Sequence, residues 1–424
     1  MSFLKSLRLD GLLSFPPGSD AIELQPLNVL IGPNGSGKSN LIEGIELLHA
    51  TPTGFARVIR EGGGVREWLW KGEERTGTGS IETHVDLAFT PGNNVPHIVN
   101  AAEIESGASI YPVWSGIPFY PNDIFYQLAF AASGQRLEIT EEIVENAVNM
   151  NEQNAEVLSY FRYKSGQPII NVNVASGSKW REQVIERQKL TPDESILSQR
   201  KDPISYPELT ELGRKFGQIQ TFREWTFGRN SEVRRPQPTD LPADVLECDS
   251  RNLGMLLNQL EYLGARSEFH GYLSRFLPRF ERFSTRVEGG TIQFYLHECD
   301  LKHPIPATRL SDGMIRFLAI LAQLLSPTPP PLICMEEPEL GLHPDAIVLL
   351  ASLLQEASTR TQLIVTTHSD ALVSALTDVA DSVMVCEYRG GTVFKRVESE
   401  KLRYWLDKYK LGEIWRIGEI GGNL

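Results

Sequence analysis

Gly32-Pro-Asn-Gly-Ser-Gly-Lys-Ser39 fits the pattern G-x-x-x-x-G-K-[ST], and its two flanks narrow what the chain can fold into. Glycines at these spacings let backbone N–H groups turn inward around a polyphosphate with no Cβ in the way. The loop needs a buried strand before it and a helix after it. Leu27-Asn-Val-Leu-Ile31 is a short apolar run bounded by Pro26 and Gly32, as a parallel-sheet strand should be. Leu41, Ile45 and Leu48 then recur at helical spacing and give one apolar face. A glycine-rich surface turn is the plain alternative, and the order strand, loop, helix argues against it. The run Asn34, Gly35, Ser36, Gly37, Lys38, Ser39 and Asn40 is therefore the candidate nucleotide-binding segment. Lys38 is expected to reach the β- and γ-phosphates and Ser39 to ligate Mg²⁺ through its hydroxyl, with the helix N-terminus adding partial positive charge.

A chain of 424 residues, 41% hydrophobic and 22% charged, can bury a sizeable core and holds two or three domains or one core with a large insertion. Its net charge of −13 argues against a surface that coats nucleic acid throughout, while leaving room for a local basic groove. Cys248, Cys299, Cys334 and Cys386 are far apart and make no C-x-x-C pair, so they read as reduced thiols and not as a zinc site or disulfide frame. No apolar run approaches the roughly 18 residues of a membrane span, and the start lacks a signal peptide's apolar core. The expectation is a cytoplasmic protein with no membrane association.

Along the chain, residues 3 to 9 and 21 to 25 alternate enough to be edge strands feeding the first parallel strand. From Ser80 to about Val174 the pattern is strand-like, including Ile81 to Phe89, Tyr126 to Phe130, Arg136 to Ile139 and Pro168 to Val172, which predicts an antiparallel sheet. From 176 to about 285 it is helix-like, with Leu253, Leu256, Leu257, Leu260 and Leu263 on a helical repeat. The expected division is thus 1–175 as the first part of a head, 176–290 as an inserted helical lid, and 291–424 as the second part. Arg57, Arg60 and Arg66 lie close to the loop in sequence, either as phosphate contacts or as a solvated face.

The last part is dense in motifs. Ser311 is a good N-cap for a helix whose Met314, Phe317, Leu318 and Leu321 form an apolar face. Leu332-Ile-Cys-Met335 reads as a buried strand ending in Glu336-Glu337-Pro338-Glu339, two carboxylates where open α/β sheets bind ligands. Leu363-Ile-Val365 reads as another, ending in Thr366-Thr367-His368-Ser369.

Taken in order, Gly32 to Ser39, Leu310 to Met314, Leu332 to Glu337 and His368 resemble the ABC-type ATPase heads of the SMC and RecF group. The run Glu337 to Pro344 and Leu411-Gly-Glu-Ile-Trp415 look like the stand-alone AAA-family ATPases of that group. The fold so implied is α/β, an ABC-type P-loop head with a mixed sheet, an antiparallel β subdomain and an inserted helical lid. Two departures stand out: Asp312 and Met314 replace Gly and Gln of Leu-Ser-Gly-Gly-Gln, and Glu336 stands where transporter heads have Asp. The resemblance implies ATP and Mg²⁺ held between two copies in an ATP-dependent homodimer. Lys38 and Ser39 of one copy hold the nucleotide and metal, while Ser311, Asp312 and Gly313 of the other close on the γ-phosphate. Glu336 would hold Mg²⁺, Glu337 would orient and deprotonate the attacking water, and His368 would sense the γ-phosphate. Leu340 to His343 falls where the family places the loop that crosses the dimer. The family's glutamine-containing loop is left between Gln127 and Gln135.

The biological reading is a switch in DNA repair or anti-phage defence with a separate effector or nuclease partner. Purely protein-gating action in a toxin or defence complex is the alternative. A transporter subunit is the less favoured rival, because the signature lies far from the phosphate loop. The stretch after His368 is expected to be too short for the nuclease domain of the overcoming-lysogenisation-defect family. For DNA contact, Phe222-Arg-Glu-Trp-Thr-Phe-Gly-Arg229 with Arg234-Arg235 is the candidate aromatic and basic cluster. Trp405, Tyr409 and Trp415 belong either to a docking tail or to a closing helix packed on the head.

Overall fold

All five residues of Leu27–Ile31 are buried, as a strand covered on both faces must be. In the computed structural model it pairs in parallel with Gln362–Thr366 on one side and Val383–Tyr388 on the other. The structure describes residues 2–72, 77–88, 123–146, 158–174, 179–262 and 266–421. Beyond Gln362–Thr366 lie Leu332–Glu336 and then Gln220–Phe222, both parallel to their neighbours. Thr392–Arg396 closes the other edge as an antiparallel hairpin partner of Val383–Tyr388. The register sets Phe222 opposite Met335, Glu336 opposite Thr366, and Thr366 opposite Leu30. Arg223, Glu337, Thr367 and Gly32 therefore emerge together at the C-terminal rim of the sheet, where doubly wound sheets bind ligands.

Asn28 is a polar residue in the middle of that sheet. It is fully buried, and its amide donates to Gln25 O (2.6 Å) and Leu363 O (3.2 Å) while accepting from Gln25 N and Arg396 Nη2. A fully satisfied amide of this kind fixes register without the penalty of an orphaned group.

The chain divides into two compact units, one made of Gln25–Ile42 with Gln220–Leu424 and the other of Ser2–Leu24 with Glu43–Ile219. This departs from the expected division. Leu4–Asp10 and Ile22–Glu23 do not feed the first parallel strand: they pair with each other, and Leu4–Asp10 pairs with Thr78–Asp86 in an antiparallel sheet. The stretch 176–290 is not one helical lid. Its first portion, with the strand Lys179–Val184 and the helix Pro207–Gly217, belongs to the antiparallel unit. From Gln220 it joins the other unit, where the helices Leu253–Tyr262 and Arg266–Phe276 follow one another between the strands Gln237–Pro238 and Phe280–Glu288. The strand Phe280–Glu288 runs through Gly289 and Gly290 into Thr291–Glu298, whose alternating burial puts Ile292, Phe294 and Leu296 on the core side. Leu263 and Phe89 lie outside the described residues. The helix Leu411–Arg416 packs Leu411, Ile414 and Trp415 inward, whereas Ser399–Leu406 buries no residue, and Tyr404 and Tyr409 are exposed.

Among the described residues, eight strands make the sheet of the second unit and every pairing in it is antiparallel, as the alternating pattern after Ser80 predicts. Its strand Arg136–Asn146 carries a buried carboxyl at Glu142, which accepts from Tyr126 Oη (3.0 Å), Ser195 Oγ and Ile196 N (2.8 Å). Burial raises the Glu142 pKa from 4.5 to about 7 against the opposing pull of those donors. Because the folded state holds this proton more tightly than the unfolded chain, the associated stability is full below pH 4.5 and is lost as pH rises to about 7. The loss is at most about 3 kcal/mol. Thermal melts between pH 5 and pH 8 are expected to show this decline in the wild type and a flatter profile in Glu142→Gln. Equal declines would contradict it.

Candidate nucleotide site

Gly32 opens the loop at φ 146°, and a Cβ there would stand 2.2 Å from Cys386 O, so only glycine fits. Gly35 and Gly37 also have positive φ, at 77° and 108°. The loop is pinned from the neighbouring hairpin, since Ser36 O accepts from Thr392 Oγ1 (2.8 Å) and Cys386 Sγ (3.2 Å). Burial pushes the Cys386 thiol up to about 11, which keeps it a neutral packing group. Asn34, Gly35 and Ser39 are exposed, Gly37 and Asn40 are half-buried, and Ser36 is buried. Lys38 begins the helix and folds back to donate to Gly32 O (2.8 Å) and Pro33 O (3.0 Å). Burial lowers its pKa, while Cys386, Glu337 and Glu336 act in the opposite sense.

At the end of Leu332–Glu336 the backbone turns sharply. Glu337 has φ 44°, a left-handed conformation that costs a non-glycine residue about 1 kcal/mol or more. Two bonds hold it there: Glu337 N donates to Thr366 O (3.0 Å), and Glu337 O accepts from Arg316 Nη1 (3.2 Å). Its carboxylate lies 3.8 Å from His368 Nε2. Burial and the nearby Lys38 lower the His368 pKa, with Glu337 opposing, so the imidazole is neutral at pH 7. Behind them, Glu339 is buried and accepts from Thr367 Oγ1 and from His368 N (3.4 Å), which ties the loop after one strand to the loop after the next.

Ser311 caps its helix as expected, accepting from Met314 N (3.2 Å), and the helix Asp312–Leu324 buries Met314, Phe317, Leu318 and Leu321. Asp312 pairs with Arg234, which is itself buried and donates to Phe227 O (2.9 Å), Ala307 O (3.3 Å) and Leu310 O (2.5 Å). Gly313 is required by packing, because a Cβ there would lie 2.6 Å from Gly341 O. The signature residues are thus joined to the Leu340–His343 loop.

The aromatic residues of the Phe222 to Arg235 cluster pack against the protein, whereas Arg229 and Arg235 are exposed. Phe222 and Phe227 are core residues, Trp225 stacks on Phe222 at 5.1 Å between centroids, and the Arg316 guanidinium lies over Trp225 (5.8 Å) and Phe227 (5.7 Å). Arg223 faces Glu336 instead, with Nε 3.4 Å from Oε1. Gln127 lies within the antiparallel strand Asp123–Ser133 and Gln135 in the turn after it, both in the other unit, so neither follows a strand of the parallel sheet. Arg60 pairs with Asp193, and Arg66 donates to Gly134 O. Arg316 is the site's addition to the sequence reading, while Arg223 and Arg234 take other roles than the nucleic-acid contact expected of them, and Glu339 gains a role that its motif did not assign.

A family described as "AAA domain, putative AbiEii toxin, Type IV TA system" matches residues 27–126 and 175–374, more than half of the chain. The protein belongs to that family. Among solved structures, this AAA-domain protein is similar to one described as "Crystal structure of the SmcHead bound to the C-winged helix domain of ScpA". That likeness has a TM-score of 0.55, 13% identity, and coverage of 94% of this chain and 99% of the other. A second likeness is to an Smc head domain with an extended coiled coil, bound to the C-terminal domain of ScpA from Pyrococcus furiosus. Its TM-score is 0.55 at 12% identity, covering 96% of this chain and 99% of the other. These likenesses show the fold, that of SMC ATPase heads, as the ordered motifs predict. A curated relative, the "Old nuclease" of Escherichia phage P2, is 39% identical over 72 residues, spanning 17% of this chain and only 12% of that protein. Membership of the AAA-domain family, together with the fold of SMC ATPase heads, supports ATP hydrolysis.

Such ATPases imply Mg²⁺, and the residues fit it. Among the described residues no three His, Cys, Asp or Glu side chains cluster as a protein-only cage. Mg²⁺ instead favours one or two protein oxygens beside phosphates and water. Ser39 is exposed at the helix start, and Glu336 Oε1 is buried yet accepts no hydrogen bond among the described residues. Among the described residues no helix is long and apolar enough to cross a membrane.

Gly313→Ala is expected to displace the Leu340–His343 loop, lowering stability by about 1–3 kcal/mol and slowing ATP hydrolysis several-fold. Denaturant unfolding and phosphate release check this, and an unchanged variant would contradict the close approach.

Proposed function

We propose that the protein is a Mg²⁺-dependent ATP hydrolase whose ATP-driven head-to-tail dimerisation works as a switch. It would act in DNA repair or anti-phage defence through a separate effector or nuclease. What carries the reading is the convergence of Lys38, Glu336, Glu337 and His368 on one rim of the parallel sheet.

In this reading the N–H groups from Asn34 to Asn40 cradle the phosphates, and Lys38 exchanges the carbonyls of Gly32 and Pro33 for phosphate oxygens. Ser39 and Glu336 would hold Mg²⁺, which would supply charge neutralisation for the phosphates. Glu337 orients the attacking water and takes its proton, and the left-handed turn held by Arg316 aims it. His368, neutral and tethered through Glu339, donates a hydrogen bond to the γ-phosphate. Ser311, Asp312 and Gly313 of a second copy complete the site from a helix N-terminus. Pairing of Asp312 with Arg234 offsets a negative charge that would otherwise oppose the triphosphate there.

Action through a protein partner, without direct DNA contact, is favoured by one observation: in the aromatic and basic cluster singled out in the sequence, Trp225 and Phe227 lie under Arg316, Arg223 faces Glu336 and Arg234 is buried, which leaves Arg229 and Arg235 as its exposed arginines. The family's description as a putative toxin of a toxin–antitoxin system and the short likeness to Old nuclease are in keeping with a defence role.

Glu337→Gln is expected to bind a fluorescent ATP analogue as the wild type does while hydrolysing ATP about a hundredfold more slowly or worse. Lys38→Ala is expected to lose nucleotide affinity. Unchanged turnover in the first, or unchanged binding in the second, would contradict the assignment. With ATP, the Glu337→Gln form is expected to show no salt-steep duplex binding by anisotropy, and affinity that falls steeply with salt would restore direct DNA contact.

A further inference from the structure

Arg223 follows directly on the strand Gln220–Phe222, whose register with Leu332–Glu336 pairs Gln220 with Ile333, Thr221 with Cys334 and Phe222 with Met335. It therefore leaves the sheet level with Glu336. The two side chains are 29% and 18% exposed, and Nε lies 3.4 Å from Oε1. The turn that follows is anchored: Trp225 stacks on Phe222, and its carbonyl accepts from Arg316 Nη2 (3.4 Å). Arg223 is thus carried between a paired strand and a clamped turn, a setting that restricts where its guanidinium can go.

Glu336 is the carboxylate to which the proposed function gives the metal, and Glu337 adds a second negative charge next to it. Two carboxylates partly screened from water repel one another, and a nearby guanidinium relieves that repulsion. Yet Mg²⁺ needs an oxygen at about 2.0–2.1 Å and carries two positive charges, so a guanidinium on Glu336 Oε1 and a metal drawing on the same carboxylate oppose each other. An arginine cannot leave the contest by losing its proton.

We propose that Arg223 is the resident counter-cation of Glu336 and that it gives way when Mg²⁺ enters with the nucleotide, so that metal loading and release of Arg223 are one exchange. This rests on the reading of Glu336 as the metal carboxylate. Without nucleotide, the pair keeps the rim neutral and the Glu336 side chain in place. With it, the triphosphate's negative charge stabilises both cations at the rim. Arg223 acts through Glu336 and is a positioning residue. The exchange makes free Mg²⁺ a weak ligand of the empty protein and a strong one of the nucleotide complex.

The test is a Mg²⁺ titration of the protein holding a fluorescent, non-hydrolysable ATP analogue, read by nucleotide fluorescence, with ATP turnover measured alongside. Arg223→Gln is expected to lower the Mg²⁺ concentration for half-saturation about fivefold, since the metal no longer displaces a cation. Its affinity for the analogue in EDTA should stay near that of the wild type. Arg223→Lys, which keeps the charge, should titrate close to the wild type, so the proposal stays testable if the glutamine variant folds poorly. In the Glu336→Gln background, Arg223→Gln should cause no further shift. A half-saturation that is unchanged or raised in Arg223→Gln would overturn the exchange. If Glu336→Gln alone leaves the Mg²⁺ requirement as it was, the metal assignment of Glu336 fails instead, and the two failures are told apart.

Discussion

Parallel pairing in one fixed register is the constraint on which the site depends. Because Phe222, Met335, Val365 and Val29 sit in successive positions across neighbouring strands, the four loops that follow open at the same level. Slippage by one residue would turn buried side chains outward and scatter the loop ends together. Asn28 guards against it from inside the sheet by bonding across to Leu363 and Arg396. The close approach of Gly32 to Cys386 O fixes the phosphate loop to the next strand over.

Strain and tethering then do the finer positioning. The left-handed backbone at Glu337 persists because Thr366 O and Arg316 hold its amide and carbonyl. Arg316 lies on the same helix that Ser311 caps, so in the proposed dimer the surface offered to a second copy and the carboxylate aimed at the nucleotide would share one rigid element. Glu339 makes a similar link between the Glu337 turn and His368. A change at either end of these bonds must be felt at the other.

The sequence carried the parts of the site that obey local rules. The strand before the phosphate loop, the Ser311 cap and the strands ending in Glu336 and Thr366 follow from short apolar runs, capping chemistry and glycine spacing. What stayed hidden depends on long-range pairing. Leu4–Asp10 is next to Leu27–Ile31 in sequence yet joins Thr78–Asp86, and nothing local distinguishes those partners. Gln220–Phe222 is three residues long inside a stretch with helical composition, so its place at the edge of the parallel sheet was illegible. Phe222, Trp225, Phe227 and the arginines around them have the composition of a nucleic-acid surface. The same residues equally suit a core layer under a guanidinium, and only the fold separates the two.

At the centre of the account is an active site shared between two copies, with Lys38 from one and Ser311 from the other. Mixing a Lys38→Ala protein with a Ser311→Ala protein tests this most directly, since a mixed dimer has one composite site with both residues intact. ATP turnover in the mixture is predicted to rise from near nothing in either variant alone to about a quarter of the wild-type rate. A mixture no more active than its two components would contradict the shared site.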